Sequence, residues 1–207
     1  MHVRWLMLLA AIFSAANPAQ AGSHLWRFNE FYSSPDRSVQ FIEMLETGGS
    51  SNENAIANHW YRTNGYNLDE SELLGSNLVG DTANKKFLVG TVSYAALPGV
   101  PAPDYIIPDG AIDPSGDTVV WWFYQTIVIP PGVMPSDGEH SITVVDPVLP
   151  TYSVGINSPT NFAGDTGTVV LPPGVPSLGA GALRALSLAL LAAALWAWRR
   201  ATQSASG

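Results

Sequence analysis

The sequence predicts an all-β domain, folded as an antiparallel sandwich, between an N-terminal signal helix and a C-terminal transmembrane helix. From Gly22 to Leu171, β-rich or alternating apolar runs recur between turn signals, and no helical period is found. Fourteen of the 16 prolines fall between Pro98 and Pro176, where they disfavour long helices. Both ends of the 207-residue chain read as targeting segments. Roughly 150 residues remain for one domain, with or without a stalk.

Six runs are predicted to be strands, because turn residues separate them. They are Leu25–Phe31, Val39–Glu46, Phe87–Tyr94, Val119–Ile129, Ser141–Val145 and Gly167–Leu171. The domain is placed at residues 22–146. The Pro- and Gly-rich residues 147–174 are interpreted either as a stalk or as the last edge strands. Residues 68–78 are predicted to form a loop, because glycines follow the short apolar stretch.

The composition excludes several classes of function. The stretch from Arg27 to Asp165 holds five basic residues and all 17 acidic ones, which gives it a formal charge of −12. Phosphate binding needs a concentrated basic surface, so no nucleic-acid partner is expected. The chain has no cysteine. Disulfides, thiol nucleophiles, iron–sulfur clusters and cysteine-based zinc sites are therefore excluded.

The first 21 residues have the three parts of a secretory signal peptide. Arg4 supplies the positive start, residues 6–16 the apolar core, and Ala19-Gln20-Ala21 the small-x-small cleavage site. We expect cleavage after Ala21 and export through the inner membrane.

The C-terminal segment predicts a single transmembrane helix. Residues 178–198 number 21 and, at about 1.5 Å per residue, cover roughly 32 Å, enough for a hydrocarbon core of ~30 Å. Arg184 lies about a third of the way in, where its side chain can extend toward the headgroups. Arg199 and Arg200 follow the helix and predict a cytoplasmic C-terminus. The domain is then expected outside the inner membrane.

A short motif precedes this helix. Val175-Pro176-Ser177-Leu178, the apolar helix and Arg199-Arg200 together resemble the C-terminal sorting signals of exported bacterial proteins, of the Ile-Pro-Thr-Leu type and its Val-Pro-Glu-Pro relative. The resemblance implies recognition by a membrane-embedded sorting protease and delivery to the envelope or cell surface. Ser177 stands where the Ile-Pro-Thr-Leu motif has Thr.

The beginning of the domain carries a second resemblance. Phe28-Asn29-Glu30 and Val39-Gln40-Phe41-Ile42-Glu43-Met44 are similar to the opening of lamin-tail-like domains, which are immunoglobulin-like β-sandwiches. Residues 86–90 and 104–108 sit where such domains have later strands. The expected Gly-Trp strand is not clear, because only Asn58-His59-Trp60 lies near its place. The resemblance implies a binding or structural module and no catalytic residues.

Two carboxylates offer an alternative, enzymatic interpretation. Glu30 and Glu43 lie within apolar strands, where a charge is unfavourable unless it is paired. A hydrolase would need them roughly 5 to 10 Å apart in an open cleft. The competing interpretation is that they bond to the backbone or to Arg27 and Arg37.

A turn-rich acidic loop is the candidate metal site. Asp109, Asp113 and Asp117 alternate with Gly110 and Gly116, and calcium accepts six to eight oxygen ligands in flexible geometry. The spacing is not that of an EF-hand. Calcium is the one cofactor that the sequence suggests, and a solvated loop is the simpler interpretation.

The most apolar run outside the two ends is the candidate ligand platform. In a strand over 119–129, Trp121 and Phe123 would share one face, and Trp122 and Tyr124 the other. If both faces are covered, this is a central strand. If one is open, Trp121, Trp122 and Tyr124 are candidates for stacking on sugar rings or for contacting a partner.

The function expected from these features is that of an exported, non-catalytic envelope or cell-surface module with a structural, matrix or adhesion role. Its expected partners are the inner membrane, the sorting protease and an extracellular polysaccharide or matrix protein. The alternatives are a secreted hydrolase that uses carboxylates and an adhesin domain that binds calcium or carbohydrate.

Overall fold

The computed structural model describes residues 22–64 and 74–172. The signal peptide with its cleavage site and the sorting signal with its helix lie outside these ranges. The fold belongs to one unit that ends at Val170, and of a second unit only Leu171 and Pro172 are described. Within the described ranges, no helix has the length and hydrophobicity needed to cross a bilayer.

The described residues are mostly β-strand, as the sequence predicts. The one helix among them, α1 (Val92–Ala95), begins where the Thr91 side chain accepts a hydrogen bond from the Tyr94 N–H. The strands are β1 (Trp26–Ser33), β2 (Gln40–Glu46), β3 (Tyr61–Arg62), β4 (Lys86–Thr91), β5 (Tyr105–Ile107), β6 (Asp117–Trp121), β7 (Gln125–Ile129), β8 (His140–Asp146) and β9 (Thr151–Ile156).

These strands form two sheets. The larger has the order β5-β4-β2-β1-β8-β9, and the smaller has the order β3-β6-β7. Every pairing is antiparallel except that of β4 with β5, which is parallel. The prediction of a wholly antiparallel sandwich is therefore wrong at this edge. Residues 92–104 connect the two strands through α1 and a proline-containing loop, and such a crossover is what a parallel pair requires.

One hydrophobic core lies between the sheets. The larger sheet contributes Phe31, Ile42 and Phe87, and the smaller sheet contributes Val119 and Trp121. Burying such side chains contributes about 1.5–3 kcal/mol each.

The outer face of the larger sheet is covered over its central strands, whereas the edge strand β9 is mostly exposed. In β2, Phe41 and Glu43 point away from the core, yet both are fully buried. α1 brings Tyr94 against Phe41, with ring centroids 5.7 Å apart. Residues 157–169 cover the rest as a hairpin-like segment, which we call the strap. Its two arms are joined by the Thr160–Thr166 bridge and by the Gly167 N–H, which donates to the Pro159 carbonyl.

Three predicted strands differ from what the structure has. The run Phe87–Tyr94 is a strand only as far as Thr91, and α1 (Val92–Ala95) follows directly. The run 119–129 is not one strand but the β6–β7 hairpin. The run Gly167–Leu171 contains no strand, since the described pairing in this region is the single Thr160–Thr166 bridge. Within the segment predicted as stalk or edge strands, β9 pairs along β8, and the strap follows it. Proline and glycine flank these short elements and hide their periodicity.

Candidate functional site

An aromatic turn joins β6 to β7 at one end of the domain. Trp121 and Gln125 are the last paired residues of the two strands, so Trp122-Phe123-Tyr124 forms the connection. The Tyr124 N–H donates to the Trp121 carbonyl, and the Trp122 N–H donates to the Trp60 carbonyl, both over 3.0 Å. The turn is thereby fixed to its own hairpin and to the segment that leads into β3.

The backbone of this turn is strained at Trp122. Its φ is 45°, in the left-handed region, where a bulky side chain is rare and costs on the order of 1–3 kcal/mol. Hairpin turns with positive φ usually have Gly or Asn. The three residues of this turn are all aromatic instead.

Two rings of the turn pack against Trp60, in the segment before β3, and the Tyr124 ring lies 5.8 Å from that of His59, between centroids. Trp122 lies 5.5 Å from Trp60 and 4.9 Å from Phe123, between centroids, and Phe123 is 5.7 Å from Trp60. The guanidinium carbon of Arg62 lies 4.8 Å from the Trp60 ring centroid, within cation–π range. We call Trp60, Trp122, Phe123 and Tyr124 the aromatic tip. Phe123 is 79% exposed, Tyr124 is 36% exposed, and the two tryptophans are half-buried.

A series of hydrogen bonds links His59 and Ser23 to the hydroxyl of Tyr124 in the tip. His59 Nδ1 is 3.2 Å from the Ala57 carbonyl, and its Nε2 is 2.7 Å from Ser23 Oγ, which is 3.1 Å from the Tyr124 hydroxyl. Burial lowers the pKa of His59, so the ring is neutral at neutral pH. A neutral ring that donates from Nδ1 to the carbonyl accepts at Nε2 from Ser23. Ser23 is 5% exposed, so this chain orients the tip and offers no open nucleophile.

The aromatic tip differs from the predicted ligand platform, because it lacks Trp121 and includes Trp60 and Phe123. Trp121 is fully buried in the core and cannot contact a ligand. Trp122 and Tyr124 lie together in the turn instead of on one face of a strand. Trp60 and Phe123 join them and were missed. The run 119–129 has 11 residues, about twice the usual strand length, and this length could have indicated a hairpin.

Glu30 and Glu43 lie under the strap. Glu30 accepts hydrogen bonds from the Ser141 hydroxyl (2.7 Å) and from the N–H and hydroxyl of Ser158 (2.8 and 2.9 Å). Glu43 accepts from Asn29 Nδ2 and from the Thr160 N–H (2.7 Å).

Glu43 is also the acidic partner of an ion pair. Lys86 Nζ lies 2.9 Å from Glu43 Oε1. Desolvation raises the pKa of Glu43, although the hydrogen bonds of Lys86 and Asn29 oppose the shift. The carboxylates do bond to the backbone, as the competing interpretation expected, but their side-chain partners differ from the arginines it named.

A shallow groove of about 230 Å³ runs beside this region. Lys86 and Thr160 line it, and these two residues hold the Glu43 carboxylate. They separate Glu43 from the groove. Neither Glu30 nor Glu43 thus faces an open cleft of the kind a glycosidase pair needs.

The three aspartates of the predicted calcium loop have separate partners. Asp109 accepts from the N–H and hydroxyl of Ser93, and Asp113 accepts from those of Ser115. Asp117 is buried and accepts from the backbone N–H groups of residues 64 and 113. Within residues 22–64 and 74–172, no three acidic or histidine side chains gather as a metal-binding group.

No protein-family model, curated protein or solved structure matches the chain.

Proposed function

We propose that this protein is an exported, non-catalytic β-sandwich module of the immunoglobulin-like, lamin-tail-like type, displayed at the cell envelope, where it binds through the aromatic tip. The observation that carries the proposal is the tip itself. A strained, glycine-free turn exposes Phe123 beside Trp60 and Trp122, and strain of this kind clusters at functional sites.

The aromatic tip and the end of the strap lie at opposite ends of β8. Gln125, next to the tip, donates from its side chain to the Pro147 carbonyl, just past the C-terminal end of β8. At the other end of β8, Asn157 donates to the Glu139 carbonyl and pairs with Val169, where the strap ends. The seven residues of β8 separate the two points by roughly 20 Å.

The setting of Glu30 and Glu43 is the reason to prefer a binding module to a hydrolase. A general acid or nucleophile must reach substrate. These side chains are 1% and 0% exposed, and the strap holds their oxygens.

Cell fractionation with intact-mass analysis tests the proposal. We expect the recovered protein to lack residues 1–21, to be accessible to protease added to whole cells, and to be processed near residue 175 or retained in the inner membrane. Full-length protein in the cytosol with both ends intact would overturn the proposal. Substituting Arg199 and Arg200 with Glu is the matched control, because it removes the predicted orientation signal without touching the domain.

A further inference from the structure

We propose that the aromatic tip binds the ring face of a neutral saccharide, with Phe123 as the main stacking residue. This inference rests on the proposed function, because it names the ligand class of that same surface. One face of a pyranose ring presents C–H groups with partial positive charge, and the face of an aromatic ring is its negative part. Phe123 is 79% exposed and is backed by Trp60 and Trp122, so its ring is available and held in place.

Two partly exposed polar groups adjoin the tip, the Tyr124 hydroxyl and the Arg62 guanidinium. The Tyr124 hydroxyl, Ser23 Oγ and the His59 ring form one hydrogen-bonded chain, and Tyr124 is partly exposed. Arg62 is exposed and lies over Trp60, where its N–H groups can donate to the hydroxyl oxygens of a saccharide. Sites for small ligands combine apolar or aromatic walls with a few polar groups that set orientation.

The size of the tip favours a saccharide over a protein partner. A stable protein interface covers about 800 Å² on each side. A large aromatic side chain buries about 150–250 Å² when it is fully covered. Four rings, of which two are already half-buried, present only a fraction of the area that a protein partner needs.

Charge favours a neutral saccharide over an acidic one. The stretch from Arg27 to Asp165 carries five basic and 17 acidic residues, so its net charge repels a polyanion. Arg62 is the one cation in ring contact with the tip among the described residues. A single exposed arginine does not offset a formal charge of −12.

Calorimetric titration of the full-length chain tests the inference. The neutral probes are the hexamers of β-1,4-linked glucose, xylose and N-acetylglucosamine, and the anionic probe is the hexamer of galacturonic acid. We expect binding of at least one neutral hexamer. Phe123→Ala should weaken that binding by about tenfold, and Phe123→Tyr should retain it, because the stacking ring remains.

Val170→Ala is the matched control, since Val170 is 77% exposed and lies at the end of the strap remote from the tip. It should leave binding unchanged. The inference is overturned if the unmodified chain binds no neutral hexamer, if it binds the galacturonic acid hexamer alone, or if Phe123→Ala binds as the unmodified chain does. Exported protein that binds no hexamer refutes this inference alone, whereas protein that binds but remains in the cytosol refutes the proposed function.

Discussion

Glu30 and Glu43 are direct partners across β1 and β2, and both carboxylates lie buried on the same outer face of the larger sheet. Like charges opposite each other in a sheet are destabilising unless other groups compensate. The strap provides this compensation. Its Ser158 and Thr160 N–H groups donate to Glu30 and Glu43, and the N–H of Phe162 donates to an aspartate (2.9 Å).

That third acceptor, Asp104, lies at the start of β5 and also accepts from the Leu88 N–H (2.8 Å). Alternate N–H groups of the strap thus donate to a row of three carboxylates. The strap is therefore an integral part of the fold, and the acidic side chains of the domain have a structural use.

Replacing Glu30 should destabilise the domain. Glu30→Ala leaves the Ser141 hydroxyl and the Ser158 N–H without their acceptor in a buried setting. We expect a loss of about 2–4 kcal/mol in the free energy of unfolding, measured by urea denaturation. The control is Glu139→Ala, which removes an exposed carboxylate directly before β8. It should change that free energy by less than about 0.5 kcal/mol. Equal effects of the two substitutions would show that the strap contacts add no stability.

Hydrogen exchange should report the same row of contacts. The amides of Ser158, Thr160 and Phe162 should exchange slowly, whereas a solvated stalk would exchange at once. Asp104→Ala should accelerate exchange at Phe162 and Leu88, because it removes the acceptor of both. Unchanged protection at these two amides would contradict the assignment of Asp104 as their hydrogen-bond acceptor.

The contribution of Glu43 should depend on pH with a definite sign. Its folded pKa is raised, mainly by desolvation, so the folded state binds this proton more tightly than the unfolded state. The stability it contributes is therefore full below the unfolded pKa and falls as pH rises through the folded pKa. The comparison variant is Glu43→Gln, which cannot titrate and which turns an amide donor toward the Asn29 and Lys86 donors.

Urea denaturation between pH 3 and pH 8 checks this sign. We expect Glu43→Gln to be less stable than the unmodified chain, with a difference that shrinks as the pH is raised. A difference that grows with pH would mean that the ion pair with Lys86, and not desolvation, determines the pKa of Glu43.

Gly90 is required because Tyr94 of α1 and Pro103 of the loop that follows α1 pack directly against β4. A Cβ there would lie 2.6 Å from Tyr94 Cδ1 and 3.0 Å from Pro103 Cβ. Gly90→Ala should lower the free energy of unfolding by about 1–3 kcal/mol, through overpacking. Gly155→Ala in β9 is the matched control, because nothing lies within 4 Å of its added Cβ. That variant should be neutral or slightly stabilised, since glycine weakens a strand. The free energy of unfolding of the two variants is compared with that of the unmodified chain by thermal unfolding.

The sequence predicts the positions of β1, β2 and β8 well, because apolar periodicity is a local property of the chain. It finds β4 but extends this strand into α1, whose four residues are too few to show a helical period. It fails at residues 119–129 because their turn has neither Gly nor Asn, and it leaves β9 undecided between stalk and edge strand because prolines and glycines flank it. Without the hairpin, Trp121 and Phe123 would share a face. The structure buries the first and exposes the second.

The amino-acid sequence by itself determined the β-rich character, the acidic charge, the absence of thiol chemistry and the location of the aromatic residues. The tertiary structure alone decided which of those aromatics reach solvent and what the buried glutamates bind. The reason is distance along the chain: Glu30 meets Ser158 across 128 residues, and Ser23 meets Tyr124 across 101. Partners that far apart are selected by sheet order and by the coverage of each face, and no local pattern encodes them.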